Sequence, residues 1–408
     1  MPAEALKCKE CHSTYELDAS YVCDQCFGPL EVSYDHSELD DPAALRRKIQ
    51  AGPPSIWRYA DFLPFTRRPQ TALEAGFTPL IRSDRLAERL GVREVYVKND
   101  AANPTHSFKD RVVNVAVAKA KELGYEVVAC ASTGNLANAV AAHAAAAGLD
   151  SYVFVPADLE EQKILATGVY GTNLVAVDGN YDDVNRLASE IAGEEEGWAF
   201  VNVNVRPYYA EGSKTLGFEI AEQLGWRLPE QIVIPVASGS QLTKVDKAFQ
   251  ELIKLGLVED KPYKVYGAQA TGCSPVSVAY KAGVDAIRPV KPDTIAKSLA
   301  IGNPADGIYV LDICRETGGA VEDVSDDEVR EAIVLLARTE GIFTETAGGT
   351  TVGVLKKLVE TGQLDPTLET VVINTGHGLK TLDAVAGQVG PVATIDPSYG
   401  AFVATGLA

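Results

Sequence analysis

Four cysteines near the N-terminus have a spacing that can bind metal. "CKEC" and "CDQC" place Cys8, Cys11, Cys23 and Cys26 as two pairs separated by eleven residues. Two such knuckles can close a tetrahedral thiolate cage around one zinc ion. The competing chemistry is a pair of disulfides, which a reducing compartment disfavours. Four thiolates leave no coordination position open to a substrate, so the metal would be structural. A segment this small has little core of its own, and zinc would supply its stability, on the order of 10 kcal/mol of apparent binding free energy.

A second group is spread over the chain. "NPTHSFKDR", residues 103–111, sets Lys109 at the start of a helical stretch. Such a lysine is ordinarily solvated, so its role depends on what else is present. In "CASTGNLANAV", Ser132, Thr133, Gly134 and Asn135 stand where a strand gives way to a helix. Free backbone N–H groups and hydroxyls there suit an anion such as a carboxylate, although a Ser/Thr cap beside an ordinary glycine turn explains the same residues. In "VIPVASGSQLTKV", Ala237, Ser238, Gly239, Ser240 and Gln241 lead from strand to helix. Small residues and a helix N-terminus fit a phosphate, without being a Walker loop or the three-glycine dinucleotide fingerprint. In "TVVINTGHGLK", Thr375 ends a strand beside two glycines that flank His377. A hydroxyl there can bond a ring atom, and His377, with no partner evident in the sequence, reads as structural rather than as a general base. Pyridoxal phosphate has a phosphate, a ring nitrogen and an aldehyde that a lysine can capture, and it gives Lys109 a purpose.

The elements that must hold these residues alternate in kind. "EVYVK", "EVVAC", "SYVFV", "LVAV", "AFVNV", "QIVIPV", "KVYGAQ" and "TVVINT" read as buried strands. "KDRVVNVAVAKAKELG", "NLANAVAAHAAAAGL", "YDDVNRLASEIAGEEE" and "SKTLGFEIAEQLG" read as helices. Alternation implies an α/β fold with mainly parallel sheets, and ligands then bind beyond the carboxyl ends of the strands. "SYDHSELDDPAALRRKIQAGPPSIWRYADFLP" reads as a mixed, charged connector. A chain of 408 residues implies more than one domain, and a formal charge of -19 argues against nucleic acid or an anionic membrane as partner. "MPAEALKCKECHS" lacks a secretory pattern and no apolar run reaches membrane-spanning length, so a cytoplasmic protein is expected. Cys130, Cys273 and Cys314 lie among apolar neighbours and read as buried small hydrophobes.

Taken together, "NPTHSFKDR", "STGNLANAVAAHAAAAGL", "DGNYDDVNRL", "EGSKTLGFEIAEQLGW", "TIAKSLAIGNP", "GIFTETAGG" and "NTGHGLK" resemble the threonine synthases, fold type II pyridoxal-phosphate enzymes, in order over roughly residues 55–385. The N-terminal cysteines with "GPLEVSYD" look like the zinc ribbon that some members of that family carry. The resemblance implies a tryptophan synthase β-like, two-domain architecture: a zinc ribbon at 1–35, a large cofactor-binding domain from 36–111 and 202–387, a small α/β domain at 112–201 and a C-terminal arm at 388–408. It makes Lys109 the lysine that captures the cofactor, Asn135 the partner of the phenolic oxygen, Ala237 to Gln241 the phosphate cradle and Thr375 the partner of the ring nitrogen. The implied reaction turns O-phospho-L-homoserine and water into L-threonine and phosphate. Ser132, Thr133 and Gly134 would hold the substrate carboxylate, Ser107, Asn204 and Arg206 its phosphate, and a homodimer is expected.

The chain departs from the family pattern at several places. His106 and Val112 stand where glycines are usual, "ASGSQ" replaces a loop closer to Gly-Asn-Ala-Gly-Asn, and Tyr208, Tyr209 and Ala210 occupy a stretch that commonly holds an arginine. A cysteate synthase, using phosphoserine and sulfite, remains an alternative. A threonine or serine dehydratase is disfavoured by the absence of a glycine run at "ASGSQ". A non-enzymatic zinc-ribbon interaction protein would leave Lys109, Asn135 and Thr375 unexplained.

Overall fold

The computed structural model describes residues 3–35, 41–179 and 181–407. The chain opens with a three-stranded antiparallel sheet in which β1 (Ala3–Cys8) lies between β2 (Thr14–Tyr15) and β3 (Leu30–Tyr34). Leu6, Cys8, Leu30 and Val32 turn inward from it. The end expected for the ribbon at residue 35 abuts residues 36–40, which lie outside the described residues.

The segment read as a charged connector is packed. Asp41 caps α1 (Pro42–Gln50) by accepting from the Ala43 N–H, Pro42 fits the first turn, and Leu45 and Ile49, four apart, bury one face. A 3-10 turn over Ile56–Phe62 buries Trp57, Tyr59 and Phe62, and Arg58 and Tyr59 both bond Glu222 at 2.6 Å. Of its charges, Asp41 and Arg58 are spent on these contacts, whereas Arg47 and Lys48 stay exposed.

Next come β4 (Leu80–Arg82), α2 (Asp84–Leu90), β5 (Glu94–Asn99) and α3 (Lys109–Glu122). The chain then builds a separate sheet from β6 (Val127–Ala131), α4 (Asn135–Ala147), β7 (Asp150–Pro156), α5 (Glu161–Gly168), β8 (Asn173–Val177), α6 (Tyr181–Glu194) and β9 (Trp198–Phe200). It returns through α7 (Arg206–Glu211) and α8 (Lys214–Gln223) to β10 (Gln231–Pro235), α9 (Ser240–Lys254), β11 (Lys264–Ala270) and α10 (Pro275–Ala282). It ends with α11 (Gly307–Glu316), β12 (Ala320–Val324), α12 (Asp326–Glu340), α13 (Thr346–Glu360), β13 (Glu369–Asn374) and the short α14 (Tyr399–Ala404). No helix among the described residues is long and apolar enough to cross a membrane.

The large sheet runs β12-β11-β10-β13-β5-β4, parallel except for β4, and the second sheet, β8-β7-β6-β9, is parallel throughout. Every residue of β10 and β13 is buried, as strands covered by helices on both faces require. Pairing of Val233 with Val372 and of Asn374 with Asn99 sets the carboxyl ends of β10, β13 and β5 side by side. Loops from three separate parts of the sequence therefore meet at one edge.

Behind that edge lies a closed set of charges. The Arg111 guanidinium donates to Asp100 at 2.7 and 2.8 Å and to Glu219 at 2.6 and 2.7 Å, while the Lys98 ammonium donates to Glu219 at 2.7 Å. All four side chains have no exposed surface. Burial alone would raise the Glu219 carboxyl, but Arg111 and Lys98 hold it down at about 2. Removing one member of such a set strands the others as unpaired buried charges. Arg111→Ala is therefore expected to cost roughly 3–5 kcal/mol in denaturant unfolding, and a loss under about 1 kcal/mol would contradict the role given to it.

Candidate active site

Lys109 is the first residue of α3, and its neighbours are fixed from several sides. The Phe108 N–H donates to the Thr375 carbonyl at 2.7 Å, which ties the helix start to the end of β13. The Ser107 hydroxyl accepts from the Lys109 N–H at 3.3 Å. Asp110 accepts from the Thr105 N–H and hydroxyl and from His143 Nε2 on α4, the last at 2.9 Å. His106, in the place where a glycine is usual, has φ +62, a left-handed conformation that accounts for glycine's suitability there. The close helix approach that a glycine at position 112 would allow is supplied from the other side. A Cβ on Gly212 would stand 2.7 Å from the Val112 Cα.

With its backbone so held, Lys109 faces a pocket lined also by Asn135, Tyr209, Glu345, Thr375 and the loop Ala237–Gln241. The Lys109 Nζ lies 5.8 Å from the centre of the Tyr209 ring. The loop meets the requirements of an anion cradle. Gly239 has φ +99, and a Cβ there would stand 2.9 Å from the Asp306 carbonyl, so the tight turn into α9 excludes a side chain. Gly239 has no side chain to cap this helix start, the Ser238 hydroxyl lies 3.5 Å from the Ser240 N–H, and among the described residues Gln241 Nε2 is buried without a partner. Uncapped N–H groups and an orphaned amide fit a phosphate. Lys109 is the sole basic residue among the described residues lining the pocket, so backbone, hydroxyl and amide donors must do most of the binding.

Glu345 was not singled out from the sequence. Its carboxylate accepts from Asn135 Nδ2 at 2.7 Å with one oxygen and from the Thr375 hydroxyl at 2.7 Å with the other. Its own N–H donates to the Gly376 carbonyl at 3.0 Å, and a Cβ on Gly376 would press into the carboxylate. The sequence held a signal in "GIFTETAGG", but an acid just before a helix reads first as a partner of the helix N-terminus.

Other candidates are placed elsewhere. Ser107, Asn135, Thr375 and all of Ala237–Gln241 line the pocket, but Ser132, Thr133 and Gly134 do not. They form the uncapped turn into α4, with the Ser132 hydroxyl accepting from the Gly134 N–H. Asn204 closes a turn after β9, accepting from the Phe200 N–H at 2.8 Å and donating to the Trp198 carbonyl at 3.0 Å. That turn also shortens the strand anticipated in "AFVNV" to Trp198–Phe200. Arg206 pairs with Asp306 at 2.9 Å, outside the pocket lining. The Asn204 amide is engaged at both ends, and Arg206 spends one guanidinium N–H on Asp306. Of the adjacent tyrosines, Tyr209 reaches the pocket, whereas Tyr208 is buried and donates to the Asp18 carbonyl of the N-terminal segment at 2.9 Å. His377 accepts from the Leu379 N–H, and burial, with His106 and Lys380 nearby, pushes it below the ordinary imidazole value.

In the N-terminal segment the sulfurs of Cys8, Cys11, Cys23 and Cys26 all lie within 4.8 Å of one another. The N–H groups of Glu10 and Gln25 point at the sulfurs of Cys8 and Cys23, each at 3.4 Å.

Residues 71–376 match the family of pyridoxal-phosphate dependent enzymes. The chain is 41% identical over 378 residues to the threonine synthase of Methanosarcina acetivorans, covering 92% of each protein. It is 39% identical over 381 residues to that of Methanocaldococcus jannaschii, covering 93% of each. The chain belongs to the threonine synthase family. The fold is shared more widely. Threonine deaminase isoform 2 from Solanum lycopersicum superposes with a TM-score of 0.65 at 21% identity, over 96% of this chain and 98% of that one. A fungal L-serine ammonia-lyase from Rhizomucor miehei gives 0.64 at 22%, over 78% and 98%. Fold type II thus accommodates several chemistries, and family membership rests on the sequence relatives.

Proposed function

We infer that the protein converts O-phospho-L-homoserine and water to L-threonine and phosphate. The observation that carries this reading is the joining of Lys109, the loop Ala237–Gln241 and Thr375 in one pocket, in a chain that is similar to threonine synthases over 92–93% of its length. In this reading Lys109 holds the aldehyde of pyridoxal phosphate, the loop its phosphate, Asn135 its phenolic oxygen and Thr375 its ring nitrogen. The bound cofactor supplies an electron sink for charge released at the substrate's α-carbon.

The protein's part is binding, orientation and proton movement. The uncapped N-terminus of α4, at Ser132 to Gly134, receives the substrate carboxylate. Once the substrate's amino group has taken its place on the aldehyde, the Lys109 amine would take a proton from the α-carbon, pass it on, and then take one from the β-carbon, which lets phosphate leave from the γ-carbon with the electrons of its C–O bond. A proton delivered to the γ-carbon makes the methyl group. Water adds its oxygen at the β-carbon, the proton it loses matches the one the departed phosphate takes up, and return of a proton to the α-carbon completes threonine. Of Ser107, Asn204 and Arg206, Ser107 alone lines the pocket and is assigned the leaving phosphate.

The purified, cofactor-loaded protein is expected to release threonine and phosphate in equal amounts from O-phosphohomoserine, and Lys109→Ala to release neither. Phosphate without threonine, or turnover with phosphoserine and sulfite alone, would reject this substrate and favour a relative.

The four N-terminal cysteines are assigned a structural zinc ion. Sulfur separations of 3.4 Å for Cys8 with Cys26 and 3.5 Å for Cys11 with Cys23 support this. Tetrahedral ligands at a Zn–S distance of about 2.3 Å stand roughly 3.8 Å apart. Replacing Cys8 and Cys23 together by serine should remove bound zinc, measured by metal analysis, while leaving the visible absorption of the cofactor intact. Unchanged zinc content would refute the assignment.

A further inference from the structure

A second cleft, of about 290 Å³, opens where the N-terminal sheet meets α9 and α11. One liquid water occupies about 30 Å³, so the cleft has room for a small organic molecule rather than a bare ion. None of its residues lines the pocket of Lys109. Two of its walls nevertheless start at the loop assigned to the cofactor phosphate. α9 begins at Ser240, whose carbonyl accepts from the Thr243 hydroxyl at 3.1 Å, and Thr243 lines the cleft. α11 follows Asp306, whose N–H donates to the Ser238 carbonyl at 2.8 Å.

Most charges in the cleft pair with one another. The Lys244 ammonium donates to Glu31 and to the fully buried Glu211, both at 2.7 Å, and Lys247 donates to the Val32 carbonyl at 2.9 Å and to Glu31 at 3.3 Å. Two charges are left over. Among the described residues, Lys9 and Asp312 line the cleft without an ion pair. The Lys9 Nζ lies 3.2 Å from the centre of the Tyr309 ring, which holds the ammonium in place, and an ammonium with three hydrogens keeps donors for a further acceptor. Asp312 follows Tyr309 by three residues on α11, so it shares that helix face, about 4.5 Å along the axis. The unmatched cation and the unmatched anion therefore stand side by side. A simple anion would satisfy Lys9 and be repelled by Asp312, and a simple cation the reverse. A molecule with a carboxylate and an ammonium on one carbon satisfies both, and the half-buried Ile313 offers its side chain an apolar wall.

We propose that this cleft binds a free α-amino acid, its carboxylate on Lys9 and its ammonium on Asp312, and that occupancy is passed through α9 and α11 to the loop Ala237–Gln241. The cleft is an effector site, separate from the place of reaction. The binding stands by itself, and its transmission to a cofactor rests on the phosphate assignment made above.

The test is calorimetric titration of the cofactor-loaded protein with each proteinogenic L-amino acid, repeated in Lys9→Gln and in Asp312→Asn, with the phosphorus-31 signal of the bound cofactor recorded alongside. At least one amino acid should bind the wild type and move the phosphorus signal. Each replacement removes one charged contact and should weaken that binding by about tenfold or more and suppress the movement. Asp312→Asn lies away from the cysteines and serves if Lys9→Gln disturbs the N-terminal segment. Failure of every amino acid to bind overturns the proposal, as does binding that survives both replacements, which would belong to the Lys109 pocket. Binding that both replacements abolish, with a phosphorus signal that never moves, overturns the transmission to the loop. Absence of any bound-cofactor signal overturns the cofactor assignment instead and leaves the titrations to decide the site.

Discussion

Arg111 has no contact with solvent, so its charge must be met inside the protein or not at all. It is met by two carboxylates from different parts of the chain, Asp100 after β5 and Glu219 on α8, and Glu219 is shared with Lys98 on β5. The guanidinium's planar fork makes these bonds directional, which an ammonium would not. A neutral variant with two carboxylates left behind has no low-cost packing, and this is why the start of α3 has one position relative to the large sheet. Asp110 adds a second bearing through Thr105 and His143. Lys109 sits next to both anchors and owes its direction to them.

Around that fixed lysine the pocket is assembled from strand ends. β10 delivers the loop into α9, β13 delivers Thr375, and β6 of the other sheet delivers Asn135. Glu345 joins the last two across 210 residues of sequence on one side and 30 on the other. The result gathers the loop Ala237–Gln241, the Thr375 hydroxyl and Lys109 around one pocket. Such preorganisation is what proton transfer by a single lysine requires, because the reacting atoms must be held within reach before any barrier falls.

Much of this was legible in the residue pattern. The β-branched runs and the helices at Lys109, Asn135 and Lys214 stand where periodicity put them, because buried parallel strands and their covering helices depend on local, repetitive signals. Contacts distant in sequence were less legible. Asn204 and Arg206 were candidates for the substrate phosphate, and nothing local shows that Phe200 and Trp198 engage the Asn204 amide or that Asp306 pairs with Arg206. Glu345 was passed over because its two partners come from other loops. The strand β12 carries Glu322 and Asp323, acids that an apolar-run criterion passes over and that Lys281 neutralises in the fold. The segment 42–62 read as a connector because its charges were visible and Glu222, the distant partner of Arg58 and Tyr59, was not.

The central claim is that the buried charges aim one particular lysine at the cofactor. Borohydride reduction of the cofactor-loaded protein, followed by peptide mapping of the pyridoxyl-modified residue, tests it most directly. The account predicts a single modified position, Lys109. Modification centred on Lys297, Lys380 or any other lysine would contradict it.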